Sequence, residues 1–165
     1  MKKTHLVVSL LLFLNVVSFA QISNVQITVD GLTCSACSFT TQRSILELDF
    51  VGDVKMDLEA HVATVTFREG KKIALDKIAQ KVVDAGFSVG SFNAAMSLEG
   101  VEISNDGKMV YKDDTYQIIG TKEKSFKGNT TMKFIGEKFM RKKDFKKWKD
   151  KIYKTTEKIY YITPD

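Results

Sequence analysis

Between Asn24 and Phe92 the spacing of apolar residues keeps changing, and that succession limits the fold more than any other feature of the chain. "NVQITVDG" alternates, with Val25, Ile27 and Val29 on one face, and predicts a strand that ends at Asp30-Gly31. A helix follows from about Ser35, with Thr41, Ile45 and Leu48 forming a stripe at spacings of four and three. "VGDVKMDLE" alternates again through Val54, Met56 and Leu58; Ala60-His61 turns the chain, and "VATVTF" returns as the second strand of a hairpin. "LDKIAQKVVDAG" predicts a second helix with Leu75, Ile78, Ala79, Val82 and Val83 inward and Gly86 as its stop. "FSVGSF" gives a last short strand. The order β-α-β-β-α-β is the split βαβ, or ferredoxin-like, arrangement: antiparallel strands carrying two helices on one face.

Both cysteines of the chain lie in "GLTCSACS", at the junction of the first strand and the first helix. Cys34 and Cys37 could serve as a metal clip, a redox dithiol or a disulfide. As a staple the pair is poor, because a bridge over two intervening residues closes a tiny loop and removes little entropy from the unfolded chain. As a chemical site it is better placed. A helix N-terminus favours negative charge and lowers a thiol's pKa. Two thiolates make a soft donor pair that suits Cu(I), whereas Zn(II) prefers four ligands and no second pair exists.

Three stretches, "VQITVDGLTCSACS", "VGDVKMDLEAHVATVTF" and "IAQKVVDAGFSV", resemble the heavy-metal-associated domain of copper chaperones, metal-transporting ATPases and mercuric-ion binding proteins. The resemblance covers residues 21–92. Leu32 stands where that family usually has Met, an inward residue, and Phe50 where it often has Gly. The resemblance implies Cu(I) acquisition and hand-over, with Cys34 and Cys37 as ligands, Thr33 and Phe87 beside the site, and another metal-binding protein or a metal-transporter domain as partner. Hg(II) also favours two thiolates and is the alternative cargo. A thiol-disulfide redox protein is the competing class; such proteins commonly have Trp before the first Cys and a nearby cis-proline, whereas here Thr33 precedes Cys34 and the only proline is Pro164. No Ser-His-Asp or paired-carboxylate pattern points to an enzyme. His61 is expected in a solvated turn away from the cysteine loop.

Residues 1–20 have the layout of a secretory signal peptide: Lys2 and Lys3, an apolar run from Leu6 to Val17, then Ser18-Phe19-Ala20 before Gln21. The expected location is therefore periplasmic or extracellular, where thiols tend to be oxidised. Residues 21–93 carry seven Lys/Arg against nine Asp/Glu, and residues 94–165 sixteen against eleven, which suggests two units with different surfaces. Residues 94–165 fall outside the resemblance. Alternation in "MSLEGVEI", "KMVY", "TYQIIG", "TTMKFIGEKFM" and "IYYIT" predicts short strands, and Phe145, Trp148 and Ile152 predict one amphipathic helix within residues 141–158. The expectation is an α+β chain whose C-terminal module, 94–165, is a small β-rich sheet or OB-like partial barrel. Residues 141–158 hold nine Lys/Arg and three Asp/Glu, a solvated face or a contact for an acidic partner or membrane surface; nucleic acid is a poor partner for an exported protein. Met96, Met109, Met132 and Met140 could offer thioethers to Cu(I), but methionines scattered over strands are normally core filler.

Overall fold

A computed structural model describes residues 22–165 apart from 124, 127 and 154. The leader expected at residues 1–20 lies outside the described residues. β1 (Ile22–Asp30), α1 (Ser35–Leu46), β2 (Val51–Asp57), β3 (Val62–Phe67), α2 (Leu75–Asp84) and β4 (Ser88–Ser97) follow the order read from the sequence. β1 pairs antiparallel with β3 and β4, and β2 pairs with β3. Val25, Ile27, Phe92 and Ala94 are fully buried, together with Ile45, Ile78 and Val82 from the two helices. Leu32 is also buried, and the Phe50 ring lies 6.4 Å from that of Phe67. The helical stripes and the alternating strands thus close on one another as their periods require.

The second half does not form an OB-like barrel. Its strands are β5 (Lys108–Tyr111), β6 (Asp114–Ile118), β7 (Asn129–Ile135) and β8 (Ile159–Pro164). They continue the same sheet, in the order β2-β3-β1-β4-β7-β8-β6-β5. The joint is β4, which runs unbroken across residues 92–94 and pairs with β7 from Asn93↔Lys133 to Ser97↔Asn129. β8 lies between β7 and β6, parallel to β6. The cores merge at this joint. Phe92 stacks edge-on against Phe134 at 5.3 Å and Phe139 at 5.0 Å, and Phe134 meets Tyr160 at 5.7 Å. A four-stranded module would leave β4 as an open edge; here β7 covers it.

The helix expected within residues 141–158 is broken. Among the described residues of that stretch only Lys142–Phe145 (α3) is α-helical, followed by a 3₁₀ turn at Lys149–Lys151. Lys142/Lys146 and Lys143/Lys147 would stack like charges one turn apart, which disfavours a longer helix. Phe145, Trp148 and Ile152 still pack inward, against Ile135, Met140 and Tyr161. "MSLEGVEI" is strand only to Ser97, and "TTMKFIGEKFM" only to Ile135. Met96, Met109, Met132 and Met140 are all buried, so none offers a thioether to solvent.

Candidate functional site

Three connections meet at one end of the sheet, because β1, β2 and α2 all run toward it. These are the β1–α1 loop, the β2–β3 hairpin turn and the α2–β4 turn. The first carries the cysteines. Cys34 is the N-cap of α1 in extended conformation (φ −154°, ψ 162°), and its Sγ accepts a hydrogen bond from the Cys37 N–H at 3.4 Å. A thiol thus takes the place that Ser or Asp usually fills at a helix start. The Cys34 and Cys37 sulfurs lie 2.8 Å apart, as free thiols, and a disulfide would need about 2.0 Å. Cys34 is exposed and Cys37 half-buried. The Thr33 hydroxyl stands 3.9 Å from Cys37 Sγ. Hydrogen bonding from Cys34, and next from the Thr33 backbone, holds the Cys37 thiol below its ordinary range. That bias favours the thiolate, the form that ligates a metal.

The α2–β4 turn brings Phe87. Gly86 sits at φ +91°, where a side chain is disfavoured. Its N–H donates to Val83 C=O at 2.9 Å, and the Phe87 N–H donates to Val82 C=O at 3.2 Å. This doubled hydrogen bond ends α2 as a Schellman motif. It turns half-buried Phe87 toward the cysteine loop: a Cβ on Gly31 would lie 3.5 Å from Phe87 Cδ1. Thr33 and Phe87 therefore both stand at the cysteine end of the fold.

His61 does not lie away from the loop. It occupies the β2–β3 turn at φ +55°, and its carbonyl accepts from the Val29 N–H at 2.9 Å. Asp57 Oδ1 forms the same turn by accepting from Glu59 N and Ala60 N. Leu32, Thr33, Cys34, Ser38, Leu58 and His61 line a shallow cleft of about 150 Å³. The reason is topological: β2 runs in the same direction as β1, so its hairpin turn must share the end at which β1 delivers the cysteines. The residue signal was present in the sequence, and only its placement was missed. Among the described residues no three His, Cys, Asp or Glu side chains gather into a metal-holding cluster. The arrangement therefore presents two soft sulfur donors and an open front.

The amino-acid sequence matches the heavy-metal-associated domain over residues 26–88. The mercuric transport protein periplasmic component of Pseudomonas aeruginosa is 35% identical over 69 residues, which span 42% of this chain and 75% of that protein. Copper chaperone CopZ of Bacillus subtilis (strain 168) is 34% identical over 61 residues, 37% of this chain and 87% of CopZ. Oxidized MerP from Ralstonia metallidurans CH34 is a solved structure with 32% identity, covering 43% of this chain and 94% of that one at a TM-score of 0.38. With its cysteines at the head of α1 and its matched stretch ending as β4 begins, the chain belongs to the heavy-metal-associated domain family.

Proposed function

We propose that this chain binds one soft metal ion, Cu(I), as cargo between Cys34 and Cys37 and passes it to or from another metal-binding protein or a metal-transporter domain. The observation that carries the reading is the convergence of the two sulfurs, 2.8 Å apart, at the exposed N-terminus of α1. Thiolates select soft ions, and two donors with an open front let a partner thiolate enter as a third ligand and draw the metal away. Zn(II) is disfavoured because it would need two more ligands. Thr33, its hydroxyl 3.9 Å from Cys37 Sγ, and Phe87 stand at the same end of the fold, and neither offers a soft donor. In this reading the chain is a carrier, and metal hand-over is its task.

A second reading keeps the site and changes the cargo to Hg(II), which also takes two thiolates. The observation that favours it is the 35% identity to a mercuric transport periplasmic component, alongside 34% to a copper chaperone. The signal-peptide layout of residues 1–20 and that relative's periplasmic designation both support work outside the cytoplasm. There the dithiol must be kept reduced or loaded with metal in advance, because a disulfide cannot hold the ion.

Anaerobic titration of the reduced protein tests both, with Cu(I) or Hg(II) buffered by a competing chelator. One equivalent should bind. Cys34→Ser/Cys37→Ser should weaken binding by more than the roughly 10–100-fold that loss of an outer-shell partner costs. Equal affinity in the double variant would sink the site assignment, and the ratio of the two affinities chooses the cargo.

A further inference from the structure

The cysteine loop hangs from a residue that the other half of the molecule holds. Asp30 is the last residue of β1, followed by Gly31 at φ +96° and, three positions later, Cys34. Arg141 caps the start of α3, 111 residues further along the chain. Its Nε donates to Asp30 Oδ2 at 2.6 Å and its Nη2 donates to Asp30 Oδ1, so the guanidinium grips the carboxylate with two parallel hydrogen bonds. The pair lies over Gly90 of β4. A Cβ there would come 2.8 Å from Asp30 Oδ1 and 3.1 Å from Arg141 Nη2, and the Arg141 N–H donates to the Gly90 carbonyl at 3.3 Å. Gly90 is buried, so its missing side chain is space the ion pair uses.

The pair is partly exposed, with Arg141 at 42% and Asp30 at 30%, and such pairs add little to stability. Its position matters more than its strength. It holds the strand end from which the loop departs. It also keeps a positive charge against the carboxylate nearest in sequence to the two thiols. We propose that Arg141 is a positioning residue for the metal loop: by clamping Asp30 it holds the Cys34–Cys37 loop in its binding shape before the metal arrives. A loop already in its bound conformation loses less freedom on binding. The residues beyond the family match would thus tune the site within it. The inference rests on the reading of Cys34 and Cys37 as metal ligands.

The test uses the whole protein and the variants Arg141→Met, Arg141→Lys, Asp30→Asn and Asp30→Asn/Arg141→Met. Cu(I) affinity is measured by chelator competition, Tm by melting, and amide hydrogen exchange of residues 31–38 without metal. Arg141→Met should weaken Cu(I) binding roughly 10-fold, the low end of outer-shell effects, while Tm moves by less than about 2 °C. Arg141→Lys should recover part of the loss, because an ammonium keeps the charge but not the fork. The double variant should bind no worse than either single one, since the pair acts as a unit. Affinity within twofold of wild type in Arg141→Met, losses that multiply in the double variant, or a loss that merely follows Tm would overturn the proposal. If wild type binds neither Cu(I) nor Hg(II), the metal reading fails, and exchange still judges the clamp. It should be faster in Arg141→Met over residues 31–38, and equal rates would reject it.

Discussion

β1 and β8 are each flanked by paired strands on both sides, one in each half of the sheet, and they are buried by different rules. β1 alternates: Val25, Ile27 and Val29 point into the core, whereas Gln26 is exposed. β8 buries Tyr160, Tyr161, Ile162 and Thr163 in succession. Tyr160 and Ile162 face the core shared with Phe134, and Tyr161 faces the opposite patch of Ile135, Trp148 and Ile152. The N-terminal half is covered by helices on one face and has its working end in solvent. In the C-terminal half, β8 is covered on both faces, by the shared core on one and by Phe145, Trp148 and Ile152 on the other. A strand covered on one face carries a period of two, and a strand covered on both loses it. What separates β1 from β8 is therefore how many faces each strand buries, while the hydrophobic core runs through both halves.

That shared core gives the largest expected effect. Phe134 is fully buried and touches the rings of Phe92, Phe139, Tyr116 and Tyr160. Phe134→Ala should destabilise the protein by about 3–5 kcal/mol. Trp148, the only tryptophan, reports on the C-terminal half by fluorescence, and circular dichroism reports mainly on α1 and α2 in the N-terminal half. The two signals should fall together in urea, in wild type and variant alike. If fluorescence fell first while the helices stayed folded, the halves would be separate units that merely share a sheet.

The same contrast explains what the sequence disclosed. β1 to β4 were legible because each element has its own period and its connections are short. Gly86 and the Asp57–His61 turn mark their own places in the chain. The cysteine pair was legible for a related reason: all its local partners, Thr33 included, lie within a few residues. His61 was misplaced because its proximity to Cys34 comes from strand direction, which no local pattern records. The insertion of β8 between β7 and β6, and the breaking of the lysine-rich helix, depend on partners tens of residues away. Arg141 belongs with these. Nothing near it in sequence points to Asp30, and only the way the second half packs on the first brings the two together.

A smaller effect should follow from the local device that ends α2. Gly86→Ala puts a side chain at φ +91°, with no neighbour within 4 Å of the new Cβ, so the cost is conformational. About 1 kcal/mol is expected. Because the same turn places Phe87 against Gly31, metal affinity should fall as well. A stability loss with unchanged affinity would show that Phe87 only packs and does not shape the cysteine end.

The smallest effect probes a polar seam between the halves. The Tyr160 hydroxyl donates to Asp76 Oδ1 at 2.8 Å, and Lys158 Nζ reaches the same oxygen at 3.1 Å. Burial alone would push the Asp76 carboxyl up, but the hydrogen bonds from Tyr160 and Lys158 and the lysine's charge outweigh it and hold Asp76 below the usual carboxylate range. A carboxyl lowered by folding stabilises the folded state at pH above its ordinary value near 3.9, and that contribution is lost as pH falls through the folded value. Tyr160→Phe removes the main donor while leaving the ring in the aromatic cluster. It should cost about 1 kcal/mol or less at pH 7, discounted because the Asp76 side chain is still 36% exposed to solvent screening. The difference from wild type should shrink as pH falls through the lowered value of Asp76, because a protonated, neutral acceptor gains less from the hydroxyl. Urea denaturation of both proteins at several pH values measures that difference directly, with carboxylates common to both cancelling. A gap that stayed constant with pH would mean that Asp76 is not the partner that matters, leaving the seam held by ring packing alone.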